Sequence, residues 1–326
     1  MEPNLLEENK LILFGHDYSN RDTKGVSIPI DFPVRCTFES DKPAHVGIVS
    51  TKGELYFITR NEDSNPSSRF SLERQGDDDS PILSYAAVTA TNRTCISFLQ
   101  SPASQLIHLL EFEHFSDFLH WFSNPSSFAE TDLKQPTHYM VQGRITGLHA
   151  GATSFTMLTE AGNVYTWTND ARHNRCLGRS PNEESPSDRP GLIDALGGVP
   201  ISKVAVGGWM SAALSQDKDV YVWGREKPKE NPERMAALPG NDEDLKLVDL
   251  GDDIDFEDVG VGSGHAVLLA SNGKVFVAGE NDNGQFGFET NDKKFESDWR
   301  EIEDLRDRKV KQVWCGYSTT FALVAN

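Results

Sequence analysis

Residues 256–288 read FEDVGVGSGHAVLLASNGKVFVAGENDNGQFGF, and this stretch decides the fold. Val259 and Val261 alternate with small or polar neighbours, while Ala266–Ala270 and Val275–Ala278 are compact apolar runs. The pattern predicts three short strands. Ser271-Asn272-Gly273 between the last two is a hairpin-turn signal. GENDNGQFG (279–287) then places glycine and asparagine where a loop needs positive φ. A unit this small cannot bury an apolar face alone, so its recurrence implies an array.

Working outward, the chain repeats the unit. His45–Phe57 matches His265–Val277 without a gap, within a copy spanning Val34–Arg60. A degenerate copy covers Tyr85–Phe112. Clearer copies follow at 145–178 and at Ile201–Gly224 (ISKVAVGGWMSAALSQDKDVYVWG). Val310–Asn326 is the first half of a unit, and the second half stands at the other end of the chain, in Lys10–Asn20. Between copies lie polar stretches, including Asn61–Ser80 with its Asp77-Asp78-Asp79 run, which reads as solvated loop.

The glycine after the first strand gives a register, Gly151, Gly207, Gly262 and Gly316, with spacings of 56, 55 and 54 residues. Earlier equivalents fall near Lys42 and Ala90, and 52 residues separate Gly316 from Lys42 around the closed circle. Six modules result. A strand-and-turn repeat of this length excludes helical solenoids. The expected fold is all-β, a single-domain β-propeller over residues 1–326 of about six blades, with the two chain ends sharing one blade so that no edge is left open.

The composition fits a packed, acidic chain. It has 326 residues, 37% hydrophobic, with 18 Phe and a net charge of −19. Nucleic-acid affinity rests on clustered Lys and Arg, so direct nucleic-acid binding is not expected. Cys36, Cys95, Cys176 and Cys315 are far apart and form no C-x-x-C pair, which reads as free thiols in a reducing compartment. MEPNLLEENK has no apolar signal core, and no apolar run reaches the roughly 18–20 residues of a membrane span. The expected location is cytoplasmic, nuclear or both.

The pattern V-x-V-x-x-G-x-x-H…G-x-V-x-x-x-G-x-N-x-x-G-Q-F-G resembles the regulator of chromosome condensation repeat. It is carried by Val259, Val261, Gly262, His265, Gly273, Val275, Gly279, Asn281, Gly284, Gln285, Phe286 and Gly287. It is partial in the third, fourth and last copies and weak before residue 100. Members of that family usually have seven blades, so either Asn61–His138 holds a degenerate seventh or the ring is reduced. The resemblance implies a rigid protein-interaction scaffold. A short, acidic, single-propeller chain is most similar to the fungal alpha-tubulin suppressor type. That likeness implies a small zinc-binding electron-carrier partner, serving diphthamide synthesis and Elongator-dependent tRNA wobble-uridine modification. The family equally implies, as alternatives, guanine-nucleotide exchange on a small Ran-like GTPase or a chromatin-linked adaptor.

Catalytic patterns are missing from the sequence: there is no G-x-S-x-G elbow, P-loop or H-E-x-x-H. No enzyme activity, cofactor or metal is therefore expected. GVGSG (260–264) lies inside a strand pair without the following helix that phosphate binding requires. His108, His114 and His120, with Glu111 and Glu113, are spaced by six and do not share a helical face. Asp252, Asp253, Asp255, Glu257 and Asp258 lack the glycine-centred spacing of a calcium loop. Asn281, Asn283 and Gln285 are expected to satisfy loop backbone. What remains is surface. Trp209, His265 and Tyr317, with Thr153 and Ser154, follow the register glycines and would crowd one end of the ring, either as packing or as interface anchors. Phe115, Phe118, Leu119 and Phe122, beside Trp121, fall at helical spacing and either pack on a blade or anchor a partner.

Overall fold

A computed structural model of the chain describes residues 10–13, 26–30, 32–39, 46–60, 70–78, 80–126, 128–228, 234–240, 243–251, 254–287 and 294–325. Among them, twenty-four strands form five four-stranded sheets and two two-stranded ones. Within each full sheet the strands follow chain order, each beside the next. That meander is the construction of a propeller blade.

The repeat is visible in a shared irregularity. The first strands beginning at Val34, Leu83, Ile145, Ile201, Phe256 and Val310 each slip register after their first residue. Six bulges at one equivalent position mark six modules. The extra residue leaves its side chain free to reach the next strand, as when Ser202 Oγ donates to the Leu214 carbonyl at 3.0 Å and Thr146 Oγ1 to Leu158 at 3.3 Å. Between Phe70 and Gln142 the described residues hold the outer strand of one four-stranded sheet and one further full sheet.

By contact density the chain forms two compact units: 1–88 with 92–102 and 108–138, and 89–91 with 103–107 and 139–326. In the second unit the middle strands Ser154–Thr159, Met210–Ser215 and His265–Ala270 are buried along their whole length. A strand buried on both sides needs apolar neighbours on both faces. Successive sheets supply them. Leu158 and Val164 meet Val204, Ala213 and Trp223; Met210, Ala212 and Leu214 meet Phe256, Val259 and Leu268; Val267, Leu269, Val275 and Val277 meet Val310 and Val313. Each of the Val, Leu, Met and Phe side chains among them contributes about 1.5–3 kcal/mol when fully buried.

Asp258 adds a polar tie between three successive first strands of this unit. Its Oδ1 accepts from Lys203 Nζ on one side, and its Oδ2 from the Val313 amide on the other at 3.0 Å. The carboxylate that resembled a calcium ligand by composition is a structural acceptor; Asp252 and Asp253 lie outside the described residues.

In the first unit, the helix Phe115–Ser123 forms as its spacing predicts. Phe118 and Phe122 are buried against Val49, Leu55, Phe57, Leu83 and Phe112. The structure departs from expectation at the outer strands. Phe70–Arg74, Thr137–Gln142, Gly191–Leu192, Lys246–Leu247 and Phe295–Glu301 complete the sheets from stretches that read as loops or connections, or were given no strand. Thr137–Gln142 and Phe295–Glu301 carry several exposed residues and Gly191–Leu192 and Lys246–Leu247 are only two residues long, so the apolar alternation that marks a strand in sequence is weak. The chain ends were expected to complete one blade. Lys10–Leu13 pairs with Val26–Pro29, and Val310–Cys315 with Thr320–Val324, each a two-stranded sheet among the described residues. No helix among the described residues is long and apolar enough to cross a membrane.

Candidate functional site

The loops after the register glycines of the second unit are tied main chain to main chain. Ala152 donates its N–H to the Gly208 carbonyl, and Ser263 donates to Tyr317 at 2.9 Å. Gly207 sits so close to the next loop that a Cβ would lie 2.5 Å from the Gly262 carbonyl oxygen. Gly208, Ser263 and Tyr317 thereby occupy one position in successive modules. These close approaches require glycine at the register position and form a rim of backbone loops.

The rim sorts the expected anchors. Tyr317 is 66% exposed, with Lys227 Nζ 5.7 Å from its ring centre. Trp209 is half-buried, and its ring centre lies 6.3 Å from that of His173. Its carbonyl accepts from the Arg225 amide at 3.0 Å and from Cys176 Sγ at 3.4 Å, while its indole N–H finds no acceptor among the described residues. His265 is different. It is fully buried against Phe286 and over Gly262, where a Cβ would collide with the imidazole. Burial pushes its pKa down to about 4, with the Thr319 backbone pulling weakly the other way. Thr153 and Ser154 are likewise buried. Tyr317 is thus open to solvent and Trp209 partly so, while His265 is closed off.

The helix anchors belong elsewhere, in the first unit. Phe118 has no exposed surface, and Phe115 and Trp121 are half-covered by Phe38, Phe57, Phe98 and Phe112. Packing absorbs most of this apolar face.

Sequence reading missed several exposed or charged residues. Arg225 and Lys227 are two cations that have no carboxylate partner among the described residues, in a chain of strong negative charge. Trp314, 40% exposed, stacks on Phe321 at 5.3 Å, and Leu323 is 51% exposed on the same terminal hairpin. Trp314 could have been found, since it stands out of phase with the core residues Val310 and Val313. Elsewhere the loop amides behave as expected. Asn281 Oδ1 accepts from the Phe286 amide at 3.0 Å and Gln285 Oε1 from that of Asn283 at 2.8 Å, so both side chains satisfy loop backbone. No group of three or more His, Cys, Asp or Glu side chains converges among the described residues.

Comparison with known proteins agrees with this construction. The family pattern described as Regulator of chromosome condensation (RCC1) repeat matches residues 256–285 and again 272–323. The mouse RCC1 domain-containing protein 1 is 28% identical over 211 residues, 55% of this chain and 55% of that protein. The Arabidopsis RCC1 domain-containing protein RUG3, mitochondrial, is 28% identical over 183 residues, 55% of this chain and 40% of that one. The chain therefore spans about half the length of the curated relatives it matches. Among solved structures, Prp20p from Saccharomyces cerevisiae superposes with a TM-score of 0.58 at 17% identity, covering 93% of this chain and 72% of that one. Residues 256–323 thus match the regulator of chromosome condensation (RCC1) repeat, the chain is similar to RCC1 domain-containing proteins, and its fold is that of a β-propeller.

Proposed function

We propose that the chain is a protein-interaction propeller without an active site of its own, and that its partner docks on the rim around Trp209, Lys227 and Tyr317. One observation carries the reading. Tyr317 stands two-thirds exposed where the equivalent positions of neighbouring modules hold Gly208 and Ser263. The backbone there needs no large side chain, and exposed aromatics beside a cation are favoured contact anchors. Affinity capture with the intact chain and with Tyr317→Ala tests it: loss of a specific partner from the variant supports the rim, and an unchanged partner set rejects it.

Guanine-nucleotide exchange is a second reading. It is supported by the likeness to yeast Prp20p, described with its binding to Gsp1p and histones. Stimulated release of GDP from a Ran-like GTPase would favour it over a passive scaffold. The finer reading pairs the chain with a small zinc-binding electron carrier in diphthamide synthesis and Elongator-dependent wobble-uridine modification. It rests on the similarity of a short acidic propeller to the fungal alpha-tubulin suppressor type. Normal diphthamide and wobble-uridine levels in cells lacking the chain would reject it.

A further inference from the structure

Two imidazoles outside the rim meet on the second full sheet. His108 Nδ1 and His138 Nε2 lie 3.1 Å apart, with the rings 14° from parallel and their centres 5.3 Å apart. His108 sits on Leu106–Phe112 and His138 on the outer strand Thr137–Gln142, so sheet pairing sets their backbones. His108 is half-buried and His138 exposed, which leaves the pair open to ions from solution. The sequence had singled out His108 with His114 and His120. The structure puts His114 at the start of the helix and His120 in its last turn, and gives His108 a neighbour thirty positions along the chain.

We propose that His108 and His138 chelate a borderline divalent transition-metal ion: Cu²⁺, Ni²⁺ or Zn²⁺. Imidazole nitrogen is the ligand type these ions prefer. With metal–nitrogen bonds of about 2.0–2.1 Å, a separation of 3.1 Å subtends about 100° at the ion, between the square-planar and tetrahedral angles. The strands already hold the nitrogens at this bite, and a swivel of both rings turns the lone pairs onto one point. In the empty pair one nitrogen carries the hydrogen that faces the other, since each neutral imidazole has one donor and one acceptor. Metal takes the place of that hydrogen. The proton moves through solvent to the outer nitrogen of its ring, both imidazoles stay neutral, and no net proton is released. No set of three such ligands converges among the described residues, so water or a partner's side chain completes the coordination.

The test is a titration of the full chain with Cu²⁺, followed by calorimetry and electron paramagnetic resonance, beside His108→Gln and His138→Gln. The intact chain should bind one ion with superhyperfine structure from two nitrogens. Each variant should lose that spectrum and weaken the tightest site by about tenfold or more. Unchanged thermal melts of the variants separate loss of the site from loss of the fold. His114→Gln, whose side chain lies outside the pair, should bind as the intact chain does. Identical isotherms and spectra for all four proteins would overturn the proposal.

Discussion

Ser263 donates its backbone N–H to the carbonyl oxygen of Tyr317 at 2.9 Å. The two residues follow Gly262 and Gly316, one module apart, so the bond joins the rim loops of successive sheets through main chain alone. The rim position is thereby fixed without the Tyr317 side chain, which is left to face solvent. Scaffold and contact surface are separable at one residue.

The close approach at the register glycines predicts a backbone-driven penalty. Gly207→Ala sets a methyl 2.5 Å from both the Val261 and Gly262 carbonyl oxygens, and backbone cannot turn aside as a side chain can. A loss of about 1–3 kcal/mol is expected from urea denaturation. Gly251→Ala, whose Cβ would meet nothing within 4 Å, isolates the positive-φ strain that a glycine loop position carries on its own.

Asp258 should be the costliest acidic residue to remove from the second unit. Asp258→Ala leaves the Val313 amide without its acceptor and Lys203 without its carboxylate. Lys203 is about one-third exposed and recovers some water, so the expected loss is about 1–3 kcal/mol rather than that of a fully buried pair. Asp258→Asn keeps an acceptor and should lose less. Equilibrium unfolding of both variants measures the difference.

Phe118 tests the assignment of the helix to packing. With no exposed surface in its cluster, Phe118→Ala should cost about 3–5 kcal/mol. A variant that keeps full stability and loses a partner would return the helix to the contact surface.

His265 makes stability depend on pH. Its folded pKa of about 4 lies below the ordinary 6.5, so the unfolded chain binds the proton more readily. The contribution is present in full above pH 6.5 and is lost as pH falls toward 4. Urea midpoints of the intact chain should drop faster from pH 7 to 5 than those of His265→Gln.

Much of this was legible in residues 256–288, because the loop polar groups there have visible jobs. Asn281 and Gln285 bind their own loop, and the glycines stand where backbone meets backbone. The outer strands were not legible. Lys246–Leu247 is a two-residue strand, and two residues carry no period. On the rim, the placement of Trp209 and Tyr317 beside the register glycines was legible in the repeat. The burial of His265 did not, since it depends on the room Gly262 leaves beneath the ring. Lys227 reads as part of a mixed-charge loop, and only the fold brings it to a tyrosine ninety positions away.

The central claim is that the rim at Tyr317 touches the partner, and site-specific photo-cross-linking measures it most directly. A photoreactive side chain placed at Tyr317 should give a discrete covalent adduct in cells. The same group at Leu247, also half-exposed but on the outer strand of the fourth full sheet, should give none. Adducts from Leu247 and none from Tyr317 would contradict the account.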